Sequence, residues 1–290
     1  MKGTSALQPS PFIKWAGGKQ AVADKIISFF PASSTVDTYY EPFLGGGSVF
    51  FAYTSHTAVL NDSNRWLIDT YKAIRDDWVK VAEILISMPN TKAAYLHIRS
   101  LDPFTKSIYE RAATFIYLNK TCFRGLFRVN KQGKFNVPYG AYDRRYFDPE
   151  NLRFVSQTLR KTQLLSTDFE LAISEIGEKD FVYFDPPYHP IGGYSDFKRY
   201  TSEQFREKDH IRLASLCAEL DKKGIRWVAS NSDTPFIHSL YQNYGIHKVG
   251  ARREINLDSQ NRNITELVIT NIPEQDRIQS LKTEQLTLAL

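Results

Sequence analysis

The sequence has few residues of the kind that build covalent cross-links or metal centres. Its 290 residues include two cysteines, Cys122 and Cys217, which are far apart and lack ligand spacing, so neither a disulfide framework nor a metal site is expected. Apolar runs such as residues 49–53 are short, and none approaches a membrane span. Residues 1–10 lack the apolar core of a signal peptide. We therefore expect a cytoplasmic protein without a membrane partner.

Two nucleotide-binding fingerprints are missing as well. The P-loop spacing is absent, because Lys19 is followed by Gln20, and the glycines at residues 45–47 do not form the GxGxxG pattern of dinucleotide enzymes. These absences disfavour a nucleotide hydrolase and an NAD enzyme. Hydrophobic residues make up 42% of the chain, which is enough for a real core, and the length suits one large domain or a domain with an insertion.

The stretch at residues 181–188 reads FVYFDPPY. Its first four residues indicate a short buried strand, and proline cannot continue a central strand, so Asp185 and Tyr188 are expected in a stiff loop past the strand's carboxyl end. Open α/β sheets bind their ligands at that edge. Asp185 and the Pro186 carbonyl can accept both hydrogens of an aromatic amine while the Tyr188 ring stacks on its face. The alternative is a rigid turn in solvent.

The N-terminal part of the chain has the pattern of half a nucleotide-binding unit. A strand at residues 38–41 is followed by the turn EPFLGGGS at residues 41–48, a helix, and a second strand at residues 57–60. That strand ends in Asn61-Asp62, and an acid at this position typically binds ribose hydroxyls. The pattern favours a ligand that contains adenosine.

Three other segments bear on this ligand site. The Gly-Gly turn of PFIKWAGGK, residues 11–19, precedes a helical pattern and can offer backbone N–H groups to an anion. Asp168 follows a short predicted strand, and it either caps the next helix, residues 169–176, or places Phe169 beside an adenine ring. Residues 189–200 show no periodicity and are expected to form a mobile lid.

The middle of the chain has a different texture. Residues 64–118 are helical in pattern throughout, which is too long for one crossover and indicates an inserted subdomain. A hairpin with its tip near residues 131–134 follows, with basic and aromatic residues interleaved. Residues 120–153 contain eight basic and three acidic side chains, which indicates either a polyanionic partner or a solvated charged face. Here Arg128 is a candidate for contacts with guanine edges or phosphates.

Four stretches together resemble the Dam-type DNA adenine-N6 methyltransferases in which the cofactor motif precedes a target-recognition insert and a catalytic motif. They are FIKWAGGK at 12–19, EPFLGGGSVF at 41–50, RGLFRVNKQGKFNVPYG at 124–140 and FDPPY at 184–188. The resemblance implies an α/β fold, a Rossmann-like S-adenosylmethionine-dependent methyltransferase sheet with an inserted, mainly helical target-recognition domain that carries a β-hairpin. The expected divisions are a catalytic domain at 1–63 and 154–273, a recognition domain at 64–153 and a polar, frayed tail at 274–290.

The resemblance and the sequence patterns together give the expected residues for each part of the site. The catalytic residues are Asp185, Pro186, Pro187 and Tyr188. The cofactor-binding residues are Trp15, Ala16, Gly17, Lys19, Glu41, Pro42, Phe43, Gly45, Gly47, Ser48, Asp62, Asp168, Phe169 and Asp185. The DNA-binding residues are Lys14, Phe123, Arg124, Leu126, Arg128, Asn130, Asn136 and Pro138. Asp62 is expected on the ribose, Lys19 toward the methionine end and Lys14 near the target DNA.

The implied reaction is methyl transfer from S-adenosylmethionine to adenine N6 in double-stranded DNA, by base flipping, in a bacterial or phage-encoded protein. Leu126, Arg128 and Pro138 match residues that read bases in enzymes that methylate GATC, so GATC is the expected site. Phe123, Arg124 and Ala141 depart from the common family residues, which bears on flanking contacts. The alternatives are methylation of cytosine N4 or of RNA, and a DNA-binding regulator on an inactive scaffold. We expect a monomer, and the sequence leaves a companion restriction endonuclease open.

Overall fold

The computed structural model describes residues 9–53, 57–130, 132–142, 146–191, 205–252 and 263–278. Within these residues one sheet has seven strands, β1 (Tyr39–Glu41), β2 (Ala58–Asn61), β3 (Thr162–Leu165), β4 (Phe181–Phe184), β5 (Arg226–Ser232), β6 (Gly245–Arg252) and β7 (Asn263–Thr270). Their spatial order is β3-β2-β1-β4-β5-β7-β6. The first five are parallel, and β7 runs antiparallel between β5 and β6.

Both faces of the sheet are buried, which explains why its strands read as nearly continuous apolar runs. Successive residues of a strand point to opposite faces, so Tyr39 and Phe181, which are in register, belong to one apolar cluster. Their successors Tyr40 and Val182 belong to the cluster on the other face. The predicted strands before the glycine turn, before Asp62 and before the Asp-Pro-Pro-Tyr loop are therefore confirmed.

Nine α-helices lie within the described residues. They are α1 (Ala23–Ile27), α2 (Ser48–Tyr53), α3 (Arg65–Ser87), α4 (Lys92–Ser100), α5 (Ile108–Thr121), α6 (Pro149–Leu159), α7 (Phe169–Ala172), α8 (Glu207–Lys222) and α9 (Pro235–Leu240). The helical block expected after residue 63 is thus confirmed as α3 to α5. Helix α3 is kinked at Asp77, which has non-helical angles and whose carboxylate accepts the Lys80 N–H, so it caps the second half.

A hairpin-like segment follows α5 and packs on the helices. Antiparallel bridges join Cys122 to Tyr139 and Val129 to Phe135, and the Asn130 side chain accepts backbone N–H groups across the tip. The buried apolar cluster on this side runs without a break from the sheet through α3 and α5 to the hairpin. The α/β architecture is that of a Rossmann-like methyltransferase sheet, and the division at residue 63 stays a prediction because the core is continuous there.

The structure differs from expectation at two places, and a third expectation lies mostly outside the described residues. Helix α7 ends at Ala172 rather than at residue 176. The expected lid at residues 189–200 falls largely on residues 192–200, which the structure does not describe. The start of the expected frayed tail is packed instead: the Ile278 N–H donates to the Phe30 carbonyl, and the Arg277 guanidinium lies 5.4 Å from the Phe29 ring centroid. Among described residues, no helix is long and apolar enough to cross a membrane.

Candidate active site and hairpin

Four acidic residues follow the carboxyl ends of four neighbouring parallel strands. Glu41 is the last residue of β1, Asp62 follows β2, Asp168 lies just after β3, and Asp185 follows β4. Parallel strands end at the same edge, so these side chains gather there. Strand order reverses between β1 and β4, because β2 and β3 lie on one side and β5 on the other. A crevice at such a switch point is where α/β sheets bind ligands.

The Asp185 side chain points inward at this crevice. Its Oδ1 lies 2.8 Å from the Lys19 ammonium, and the two side chains are 19% and 4% exposed. Lys19 Nζ also donates to the Gly17 carbonyl at 2.6 Å and lies 4.5 Å from the centroid of the Tyr188 ring. Burial raises the pKa of Asp185 to about 6, against the opposing effect of Lys19. The structure therefore brings the catalytic candidates together and places Lys19 directly on the carboxylate.

Glu41 lies deeper in the same crevice. It is 2% exposed and accepts a hydrogen bond from the Tyr39 hydroxyl at 2.8 Å. Burial raises the pKa of Glu41 well above its usual value, against the opposing hydrogen bond from Tyr39. The Tyr39 contact holds this carboxyl group at the end of β1, where the loop begins.

Asp62 organises the glycine turn. Its Oδ2 accepts the Gly45 N–H at 3.0 Å and its Oδ1 accepts the Asn64 N–H at 2.9 Å, while burial raises its pKa to about 6. Gly45 has a φ of 50°, and a Cβ there would lie 2.6 Å from the Trp15 ring. Trp15 therefore needs a glycine beneath it, and the expected cofactor residues Trp15, Gly45 and Asp62 form one contact group.

Asn61 joins two of the loops at this edge. Its Nδ2 donates to the carbonyls of Pro42 and Thr167, and its Oδ1 accepts the Thr167 N–H. Sequence reasoning used Asn61 only to mark the end of a strand. The structure gives it a supporting role for the loops that carry Phe43 and Asp168.

An aromatic cluster adjoins these loops. The Phe43 ring centroid lies 5.4 Å from that of Phe169 and 5.6 Å from that of Phe205. Phe205 was not among the expected site residues; it stands just before α8. Asp168 caps α7, as predicted, and pairs with Arg212 at 3.0 Å. Together these side chains form an apolar wall with a carboxylate at its rim.

The remaining candidates at this edge lie around the same turns. Pro42 and Gly47 are buried, Ala16 and Ser48 are partly exposed, and Gly17 is exposed. Pro186 is buried and Pro187 is exposed. Both cysteines are buried, and burial raises the pKa of Cys122 to about 12 and that of Cys217 as well, so neither is held as a reactive thiolate.

Some residues of the hairpin belong to the core, and others are exposed. Phe127 and Phe135 are buried, so ordinary core packing accounts for these two aromatics. Phe123 is 46% exposed and carries the Arg124 guanidinium 5.2 Å from its ring centroid. Pro138 is exposed and Leu126 is partly so. The exposed set thus includes a ring suited to wedge between bases.

Arg128 is exposed on the same hairpin. Its Nε donates to Asn136 Oδ1 at 2.9 Å, and one terminal nitrogen donates to the Asn136 carbonyl. This contact orients the guanidinium and leaves other donors free for a ligand, since arginine has five N–H groups. Asn130, by contrast, uses its side-chain oxygen to close the tip of the hairpin.

Asn119 ties the N-terminal motif to the hairpin. Its Oδ1 accepts the Lys14 N–H and its Nδ2 donates to the Lys14 carbonyl, both at 2.8 Å. The same Nδ2 donates to the Gly125 carbonyl, and the Lys14 stem packs so closely that a Cβ at Gly125 would lie 2.3 Å from it. The exposed Lys14 is therefore fixed beside the hairpin. Trp15 stacks on Phe127 at 5.5 Å, which couples the glycine turn to the same hairpin.

Arg124 has a strained backbone that yields a stability prediction. Its φ of 61° lies in the left-handed region, which asparagine tolerates better than arginine. We expect Arg124→Asn to raise the free energy of unfolding by about 0.5–1 kcal/mol, as measured by urea denaturation. Arg124→Ala is the control, because alanine keeps a Cβ and gains no local hydrogen bond; an equal gain for alanine would contradict the strain argument.

A mixed sheet with five parallel strands, a glycine turn, an acid after β2 and an Asp-Pro-Pro-Tyr loop at its switch point has the architecture expected of a Rossmann-like methyltransferase. The sequence profile of the D12 class N6 adenine-specific DNA methyltransferases matches residues 15–255. The chain therefore belongs to that family and is an adenine-specific DNA methyltransferase.

Individual relatives agree with this assignment. The type II methyltransferase M.MjaIII of Methanocaldococcus jannaschii is 38% identical over 288 residues, which covers 91% of this chain and all of the relative. The type II methyltransferase M1.LlaDCHI of Lactococcus lactis subsp. cremoris is 39% identical, covering 90% of this chain and 95% of the relative. The DNA adenine methylase of Escherichia coli K12 is 31% identical, covering 87% and 91%.

Proposed function

We propose that this methyltransferase uses S-adenosylmethionine to methylate N6 of an adenine within GATC, after the base has rotated out of the double helix. The observation that carries the proposal is the environment of Asp185. A nitrogen donor, the Lys19 ammonium, already lies 2.8 Å from its carboxylate and 4.5 Å from the centroid of the Tyr188 ring. An adenine amine needs the same two partners, an acceptor in the ring plane and a ring on its face.

The crevice offers partners for the adenine ring and the ribose hydroxyls of S-adenosylmethionine. Phe43, Phe169 and Phe205 offer apolar faces to an adenine ring. The two Asp62 oxygens each accept one backbone N–H and have lone pairs left for ribose hydroxyls. When bound, the cofactor supplies an electrophilic methyl group on a sulfonium sulfur. The role of the chain is to hold that group opposite the amine.

The target base cannot reach this crevice from inside a duplex. Its rotation costs a few kcal/mol, which contacts in the pocket must offset. Tyr188 stacks on the extruded ring, while the Asp185 carboxylate and the Pro186 carbonyl accept the two N6 hydrogens. This arrangement orients the nitrogen lone pair toward the methyl group. The raised pKa of Asp185, about 6, makes its carboxylate a better proton acceptor than an ordinary aspartate.

The hairpin supplies the contacts to DNA. Phe123, which is 46% exposed, is placed to fill the gap that the flipped base leaves in the stack. Gly125, the residue after Arg124, packs on the Lys14 stem, so Lys14 lies beside this part of the hairpin. Arg128 is oriented by Asn136 and is suited to guanine, the base most often read by arginine. The assignment to GATC rests on the match of Leu126, Arg128 and Pro138 to the family pattern.

The pKa of Asp185 predicts the acidic limb of the pH profile. The carboxylate form accepts the amine hydrogens, and a pKa of about 6 means that lower pH protonates it. At saturating cofactor, kcat/KM for DNA is expected to fall about tenfold per pH unit below pH 6, because this parameter reports the enzyme before DNA binds. Steady-state methylation between pH 5 and 8, with circular dichroism as a control for folding, checks this. A flat profile down to pH 5 would contradict it.

The proposed reaction is tested by mapping methylated bases. The protein is expressed in cells that lack adenine methylation, and their DNA is sequenced for modified positions. N6-methyladenine confined to GATC supports the whole proposal. N6-methyladenine at another sequence refutes the site but keeps the chemistry, and N4-methylcytosine would favour the alternative amine. Incubation of purified protein with duplex and labelled S-adenosylmethionine then tests the methyl donor directly.

A further inference from the structure

Glu266 is a carboxylate in the middle of a buried strand. It is 7% exposed, and the β7 residues that follow it, from Leu267 to Thr270, are buried too. It lies opposite Ser232 on β5 and Val249 on β6. Replacing a buried charge by an apolar residue of similar volume is often neutral or stabilising. An acid at this position is therefore poorly explained by stability alone.

The Glu266 carboxylate reaches the catalytic loop. Its Oε2 accepts a hydrogen bond from the Tyr188 hydroxyl at 3.1 Å. Burial raises the pKa of Tyr188 well above its usual value, with further increases from Asp185 and Glu266, so the hydroxyl stays protonated and acts as the donor. The hydroxyl end of Tyr188 is thus bound to β7. The sequence analysis identified no functional residue in that strand.

The backbone next to Tyr188 is held by the neighbouring strand. The His189 N–H donates to Asn231 Oδ1 at 3.1 Å, and the Ser232 hydroxyl donates to the His189 carbonyl at 2.6 Å. Asn231 and Ser232 end β5, which pairs directly with β7. Tyr188 is therefore fixed at both ends, its backbone side by β5 and its hydroxyl by β7.

We propose that Glu266 is a positioning residue that sets the plane of the Tyr188 ring against which the target base stacks. The inference rests on the proposed function of Tyr188. The hydrogen bond from the hydroxyl to the Glu266 carboxyl group fixes the outer end of a ring that must hold a mobile base. A ring released from this tether can rotate, and a displacement of about 1 Å in an active site can cost about 100-fold in rate.

The test is a double-mutant cycle on the rate of methyl transfer. Glu266→Leu and Tyr188→Phe are made singly and together, and single-turnover rates are measured at saturating cofactor with a duplex that wild type methylates. We expect Glu266→Leu to lower the rate about 10- to 100-fold, the effect of losing a charged hydrogen bond. In the Tyr188→Phe background it should change the rate by less than about twofold. Affinity for the cofactor should stay unchanged.

Further measurements keep the outcomes distinct. Glu266→Gln retains an acceptor and should recover most of the rate. If Glu266→Leu does not fold, Tyr188→Phe alone should show the same loss, because it removes the same hydrogen bond. A duplex with 2-aminopurine at the target should fluoresce more brightly with Glu266→Leu, because the flipped base stacks less. An equal loss in both tyrosine backgrounds, or no loss, overturns the inference. Absence of adenine methylation by wild type would instead overturn the proposed function.

Discussion

Replacement of Asp185 by alanine is expected to abolish methyl transfer while the protein still binds its cofactor. In the proposed reaction the carboxylate accepts the hydrogens of the target amine, and groups that handle protons in this way contribute about 10²- to 10⁴-fold to rate. Single-turnover methylation of a duplex measures the loss, and equilibrium titration of cofactor and duplex measures binding. Turnover within about tenfold of wild type would remove Asp185 from the reaction.

The Asp185 experiment must allow for Lys19. The Lys19 side chain is 4% exposed, and its ammonium pairs with Asp185. Removing one partner of a buried pair leaves the other uncompensated and costs about 3–5 kcal/mol. Asp185→Asn keeps the shape, and the double variant with Lys19→Met removes both charges. Thermal melts then separate loss of folding from loss of chemistry. Asp233→Asn is the matched control, since Asp233 pairs with Lys248 in a more exposed position, and it should turn over normally.

The sheet edge was predictable because local sequence and topology agree there. Strands before Glu41, Asp62 and Asp185 are marked by apolar runs that end in proline, glycine or an acid, and parallel strands place those ends together. The sequence left two interpretations of Asp168, a helix cap or a residue that places Phe169 beside an adenine ring. The structure confirms the cap and adds an ion pair between Asp168 and Arg212. The order of motifs was therefore enough to predict the fold and the position of the crevice.

The residues that sequence reasoning missed act across long sequence distances. Asn119 binds Lys14 from 105 positions away, and Glu266 binds Tyr188 from 78 positions away. Neither contact leaves a periodic pattern in the sequence, because each depends on which strands or helices become neighbours in the fold. Glu266 did carry a weak signal, because it is the one charged residue of β7. Lys19 shows the same limit, since its motif did not indicate that its ammonium would lie on Asp185.

Substitution of Arg128 is expected to change which sequences the enzyme modifies. The guanidinium is exposed and oriented by Asn136 at 2.9 Å, the geometry needed to present a fork of donors to a guanine. A bidentate contact of this kind discriminates against the wrong base by about 1–3 kcal/mol. Arg128→Ala should therefore reduce the preference for GATC over duplexes changed at one base pair by about 5- to 100-fold, measured as ratios of kcat/KM.

Two further variants distinguish base recognition by Arg128 from electrostatic attraction to the DNA phosphates. Arg128→Lys keeps the charge but loses the planar fork, so it should keep most of its overall DNA affinity and still lose discrimination. Lys134→Ala removes an exposed basic residue near the hairpin tip, and we expect uniformly weaker binding and a salt slope reduced by about one, with the same site profile. If Arg128→Lys keeps the wild-type profile, then Arg128 contributes charge alone. The specificity would then belong to contacts made by Leu126, Pro138 or the DNA shape.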